Sequence, residues 1–142
     1  MSTDTREPVT VFDIAAFEAA DVGVLEVQTP AGEPLLHNGQ QVSIHLYGPG
    51  SAEYTRAQAR ADSAAQARTF AAIRGKAAKN ATEEQREDAI NKLVACTKRI
   101  DNFPIPGGAD ALYRNQRLGY ITNQVGRFLE DWANFLPPSA QS

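Results

Sequence analysis

Residues Gln41 to Ser51 read Gln-Val-Ser-Ile-His-Leu-Tyr-Gly-Pro-Gly-Ser, and the hydrophobic period changes across them. Before Gly48 the period is two. Val42, Ile44 and Leu46 fall on one side of an extended chain, and Ser43, His45 and Tyr47 fall on the other, as in a half-buried strand. Gly48-Pro49-Gly50 breaks the pattern. Ser51 then suits a helix N-cap, and Glu53 places a negative charge in the first turn, where the helix dipole favours it. From there to the C-terminus the apolar residues recur at steps of three and four. The change of period predicts an α+β fold: a small N-terminal antiparallel β-meander or hairpin followed by a mostly α-helical bundle.

Upstream, Val22 to Gln28 is rich in β-branched residues and stops at the turn cluster Thr29-Pro30-Ala31-Gly32. Pro34-Leu35-Leu36-His37 meets Asn38-Gly39, the pair that most readily supplies the two positive φ angles of a type I′ hairpin. Short strands of this kind need a helix against their apolar face. Residues Val11 to Ala20 suggest a short helix, whose Phe12, Ile14 and Phe17 are expected to cover a sheet edge rather than to dock elsewhere. Residues 1–10 read as a loose tail.

Downstream, Ala52 to Arg74 is alanine-rich and helix-favouring, but its stripe of Tyr54, Ala57, Ala61, Ala64 and Ala65 is weak, with Phe70 and Ile73 on a displaced face. Gly75 to Asn80 is a soft basic connector. Thr82-Glu83-Glu84-Gln85 matches a capping box, and Ala89, Ile90, Leu93, Cys96, Thr97 and Ile100 predict a helix continuing that far. Asp101 to Gly108 is a turn-rich loop, and one or two helical turns are expected over Ala109 to Asn115. Leu118, Ile121, Val125, Phe128, Leu129, Trp132, Phe135 and Leu136 then form the strongest apolar stripe in the chain, ended by Pro137-Pro138. Trp132, Phe128, Val125 and Ile121 are expected to face inward with Leu93 and Ile90, leaving Arg127 and Glu130 solvated.

A length of 142 residues suits one domain: tail 1–10, a short helix plus hairpin over 11–47, a helical part over 51–136, and a tail over 137–142. With 42% hydrophobic and 22% charged residues the composition is that of an ordinary globular protein. A net charge of -3 argues against a nucleic-acid partner, and no apolar run reaches the ~20 residues of a membrane span. The single cysteine, Cys96, cannot form an internal disulfide, and Met1 is followed by a polar, acidic stretch rather than a secretory signal, so a cytosolic protein is expected. The charge is uneven: residues 1–33 are acidic, and residues 53–79 carry Arg56, Arg60, Arg68, Arg74, Lys76 and Lys79. Solvated faces of opposite sign are the simpler reading; steering of a partner, or mutual attraction, is the alternative.

No constellation for chemistry emerges. His37 and His45 lack further ligands at zinc spacing, and Cys96 lies on an apolar stripe, where a thiol is filler. Adjacent residues on a helix, Glu130 and Asp131 diverge, and Gly48-Pro49-Gly50 lacks the lysine and the amide of a phosphate-binding loop. Neither catalytic residues, cofactor nor metal is expected, so the chain does not read as an enzyme.

The order of its motifs resembles the tail assembly chaperones of long-tailed phages and prophages. The matching pieces are Val24-Leu25-Glu26-Val27 with Thr29-Pro30 and Gly32-Glu33-Pro34-Leu35, then Val42 to Gly48, then Ser51-Ala52-Glu53-Tyr54. The last are Gln124-Val125, Phe128-Leu129 and Asp131-Trp132-Ala133-Asn134-Phe135. The resemblance implies a non-enzymatic factor in the host cytoplasm that binds the tape-measure protein and the major tail protein and is absent from the mature virion. A virion component, such as a minor tail or head–tail connector protein, is the rival. On this reading Arg56, Arg60, Arg68, Phe70 and Ile73 are the candidate partner-binding residues, the arginines steering and the two apolar side chains anchoring. Packing of that helix on its own domain, or on another copy in a homo-oligomer, is the competing account.

Overall fold

A computed structural model describes residues 12–75 and 81–137. The expected tail over 1–10 lies outside the described residues, as do the tail over 137–142 beyond Pro137 and the connector over 75–80 beyond Gly75. The fold is α+β. Strands β1 (Val22–Glu26) and β4 (Ser43–Tyr47) pair antiparallel in the register Val22↔Tyr47 to Glu26↔Ser43. Between them a two-residue hairpin, β2 (Leu36–His37) and β3 (Gln40–Gln41), turns at Asn38 and Gly39, whose φ angles are 53° and 75°. Gln41 holds that excursion to the sheet: its amide donates to the carbonyls of Val27 at 2.9 Å and Val42 at 2.8 Å.

The third strand of the main sheet is β5 (Thr97–Asp101), which pairs with the other edge of β4 to give the order β1-β4-β5. The sequence pattern placed these residues at the end of a helix. That helix, α2 (Ala81–Ala95), stops short of them, and Thr97 donates its hydroxyl to the Leu93 carbonyl at 2.8 Å, closing the last turn. Cys96 and Ile100 are four apart, which suits a helix stripe, yet Ile100 lies opposite Ile44 on β4. An unpaired edge on β4 is satisfied by this long-range pairing, which overrides the local spacing. The capping box also shifts: α2 already includes Ala81, so Thr82 lies inside the helix rather than before it.

Helix α1 (Ala52–Ile73) begins as read. Ser51 is only 1% exposed; its hydroxyl accepts from the Tyr54 amide at 3.1 Å and donates to the Gly48 carbonyl at 2.7 Å, so one side chain fixes both the strand exit and the helix start. Helices α3 (Gly108–Arg114) and α4 (Gly119–Glu130) complete the helical layer. Val42, Ile44 and Leu46 from the sheet meet Leu112 and Tyr113 of α3 and Ile121, Val125 and Leu129 of α4 in one core, closed by Ile90, Cys96 and Phe135. Phe128 and Leu93 pack on it half-buried, and Arg127 and Glu130 are exposed, as the stripe predicts.

Trp132 does not join that core. Helix α4 ends at Glu130; Asp131 adopts an extended backbone and its carboxylate accepts from the Ala133 amide at 3.0 Å, starting a separate 3-10 turn, Trp132–Phe135. The break resets the helical phase. Trp132 is left 52% exposed while Phe135 is buried, its ring edge-on to Phe128 at 5.2 Å. The N-terminal segment likewise departs from expectation. Asp13 caps a single 3-10 turn, Ile14–Ala16, and Phe12, Ile14 and Phe17 point to solvent instead of covering a sheet edge. Val11 lies outside the described residues.

Candidate partner-binding surface

Helix α1 is a 22-residue helix that fully buries one residue, Ala57. Ala61, Ala64, Arg68 and Ala71 continue that inner stripe half-buried at steps of three and four. Small side chains let α1 and α2 approach closely but leave little apolar area between them. Polar contacts supplement it. Lys92 of α2 donates to the Gln58 side-chain carbonyl at 2.5 Å and sits 4.8 Å from the centre of the Tyr54 ring. Arg68 turns inward to an ion pair with Asp88 of α2.

The sequence-nominated residues therefore separate into three groups. Phe70 and Ile73 are 59% and 75% exposed, and at 100° per residue they lie roughly 150° around α1 from the inner stripe. Arg68 belongs to the α1–α2 contact, where Asp88 pairs with its guanidinium. Arg56 is exposed beside Glu53 at 3.9 Å, about 20 Å along the helix from Phe70. Arg60 borders a shallow groove of about 220 Å³ between α1 and α2, with an alanine floor and Asn91 and Asp88 opposite. Arg74, not singled out in the sequence, follows Ile73 directly; among the described residues neither it nor Arg60 has a side-chain partner. The structure thus brings Phe70, Ile73 and Arg74 together and leaves Arg56 and Arg60 on the opposite half of the helix.

A second exposed apolar group lies where the sequence reading preferred edge-covering aromatics over a docking segment, and where it placed Trp132 in the core. Phe12 and Phe17 stack with ring centres 5.5 Å apart, and their segment is tied to the turn that carries Trp132. The Ala20 amide donates to the Phe135 carbonyl at 2.6 Å, and Ala19 and Trp132 both lie against Gly50. The signal available was Asp131: a short polar residue inside an apolar stripe, equally able to cap a new turn.

Cys96 is buried and desolvation pushes its thiol up to about 11, leaving it protonated and unreactive near neutrality. Tyr113 is raised to about 12 by burial, its hydroxyl 2.7 Å from that of Thr97. His45 and Asp101 meet across β4 and β5 at 2.7 Å, and this hydrogen bond, with Arg99 beside it, holds the Asp101 carboxyl below its ordinary value. Among the described residues no His, Cys, Asp and Glu group has the geometry to hold a metal ion, and no helix is long and apolar enough to cross a membrane. No family model, no curated protein and no solved structure matches the chain.

Proposed function

We propose that the protein is a non-enzymatic tail assembly chaperone of a long-tailed phage or prophage, one that binds the tape-measure protein and, with the major tail protein, acts during tail assembly in the host cytoplasm. The order of motifs from Val24 to Phe135 suggests the family. The observation that carries the reading is the outward end of α1, where Phe70 and Ile73 are exposed three residues apart on a helix that owes little to its own core. An apolar pair at helical spacing, bordered by Arg74, is suited to the apolar face of another helix. A long helical protein awaiting assembly presents such faces.

Co-expression with the tape-measure protein tests it. The wild-type chain is expected to keep that protein in solution and to co-purify with it, whereas the Phe70→Ser, Ile73→Ser double variant loses both effects and keeps the wild-type circular dichroism spectrum. Retention of binding by the folded double variant overturns the assignment of this surface. Mass spectrometry of purified particles separates the rival: a chaperone is missing from them, and a minor tail or connector protein is found.

A further inference from the structure

We propose that the outer edge of β1 is a docking site for an extended segment of a partner protein, apolar and basic, which adds to the sheet as an antiparallel strand beside Val22, Val24 and Glu26. The register shows which backbone groups are on offer. Along an antiparallel ladder, successive residues turn their N–H and C=O groups to opposite sides. The Asp21 carbonyl accepts from the Gly48 amide at 2.8 Å, and the Val27 amide donates to the Val42 carbonyl at 3.0 Å, so the odd-numbered residues here face β4. The even-numbered ones face away. The two at the ends are met from within the fold. The Ala20 amide donates to the Phe135 carbonyl, and the Gln124 side chain accepts from the Gln28 amide and donates to the Gln28 carbonyl, each at 2.8 Å. Gln124 thus makes the pair of bonds that a neighbouring strand would make. Between these ends β1 borders the sheet, and among the described residues Val22, Val24 and Glu26 pair with nothing on that side.

The two borders of the sheet differ. Strand β5 carries Lys98 and Arg99, and its pairing with β4 is irregular between His45 and Leu46, both features that discourage a further strand. Strand β1 pairs without irregularity, contains no lysine, arginine or proline, and leaves Val24 48% exposed. Its surroundings select the occupant. Beside this edge a shallow cleft of about 310 Å³ lies between Leu25 of β1 and Phe128 of α4, bordered by Glu26, Arg127 and Asp131. On an added strand, the side chain opposite Leu25 falls on the cleft side, where an apolar group fits. Those opposite Val24 and Glu26 fall on the open face, which suits a β-branched residue and a cation. Glu26 has no ion-pair partner among the described residues, Asp21 lies at the other end of the strand, and the sequence has no lysine or arginine between Phe12 and Thr55. Arg127 is the single cation of the cleft, so the balance of charge favours a basic segment. Main-chain bonds hold such a strand, and the alternate side chains give it specificity. This site shares nothing with the end of α1 and stands independently of the tape-measure reading.

A fluorescein-labelled peptide, Thr-Lys-Leu-Val-Thr-Val-Lys, is the probe; its first lysine falls opposite Glu26 and its leucine opposite Leu25. Binding to the full chain is followed by anisotropy and by amide hydrogen exchange. At saturation the Val22, Val24 and Glu26 amides are expected to exchange about tenfold or more slower, while those of Gly23 and Leu25, already bonded to β4, do not change. Methylating the backbone nitrogen of the peptide's first valine, which faces β1, is expected to weaken binding about tenfold or more; methylating that of the leucine, which faces away, is not. Val24→Pro removes an outward amide without breaking the ladder to β4, so binding is lost while the circular dichroism spectrum is kept. Glu26→Lys weakens binding of this peptide and gains it for a peptide with glutamate in place of the first lysine, a test that does not depend on the proline variant folding. Absence of binding at millimolar peptide overturns the proposal. So does binding that leaves exchange at the three amides unchanged, equal loss from the two methylations, or full binding by the folded Val24→Pro chain.

Discussion

Phe135 lies so close to Gly48 that a Cβ built on the glycine falls 2.5 Å from the ring Cδ1. The same ring stands 2.7 Å from a Cβ on Gly23, which is next to Leu46 across the sheet. Neither glycine has a positive φ, so the ring, not the backbone, demands their identity. Phe135 thus clamps the end of the β1–β4 pair from a turn near the C-terminus.

Gly48→Ala is expected to cost about 1–3 kcal/mol, since the added methyl group displaces a buried ring, and Phe135→Ala to cost about 3–5 kcal/mol. The double variant should be less destabilised than the sum, because the truncated residue leaves room for the methyl group. Urea midpoints of the four proteins give the coupling directly, and strict additivity would show that the ring and the glycine do not compete for space.

Trp132→Ala should lower stability by less than about 1 kcal/mol, against about 2–5 kcal/mol for Leu112→Ala in the core. Comparison of the two melting temperatures checks the placement of Trp132 outside the core. The indole emission of the wild type should also be accessible to iodide quenching in the folded state.

Cys96 should resist alkylation. With its thiol pushed up to about 11, the folded protein at pH 8 is expected to react with iodoacetamide about a hundredfold or more slower than the urea-unfolded chain. The sign for stability follows from the raised value: the unfolded thiol ionises first, so stability falls as pH rises from about 8.5 toward the folded value. Rapid labelling of native protein would place the residue at the surface.

Asp101 behaves in the opposite sense. The hydrogen bond from His45 comes first, then Arg99, in holding its carboxyl below the ordinary value near ~3.9, so its contribution is present above that pH and is lost as pH falls through the lower folded value. Asp101→Asn should therefore flatten the decline of the urea midpoint between about pH 5 and about pH 3. An unchanged slope would show that the pair does not differ between folded and unfolded chains.

The alternation Val42–Tyr47, the Asn38-Gly39 turn and the Ser51 cap were legible because each rests on local geometry that no distant contact reverses. Strand β5 was hidden because Cys96, Thr97 and Ile100 satisfy helical spacing as well as extended pairing, and only the open edge of β4 decides between them. Trp132 was misplaced for a related reason. One extended residue, Asp131, shifts the phase of everything after it, and periodicity assumes that no such residue intervenes. Of the candidate surface, the exposure of Phe70 and Ile73 could be read from their displacement off the alanine stripe. The diversion of Arg68 to Asp88 could not, because it depends on where α2 lies.

Strand β5 also gives the sheet an order of assembly. Strands β1 and β4 are joined by a hairpin-containing loop and can pair early, whereas β5 reaches β4 only across the whole of α1 and α2, a closure whose entropy must be met before any of its hydrogen bonds form. Until then Ser43–Tyr47 presents an open edge to any extended chain nearby. The interval of slowest folding is thus also the interval of greatest risk of aggregation. It ends when Lys98 and Arg99, two cations on the incoming strand, become part of the finished sheet's new border.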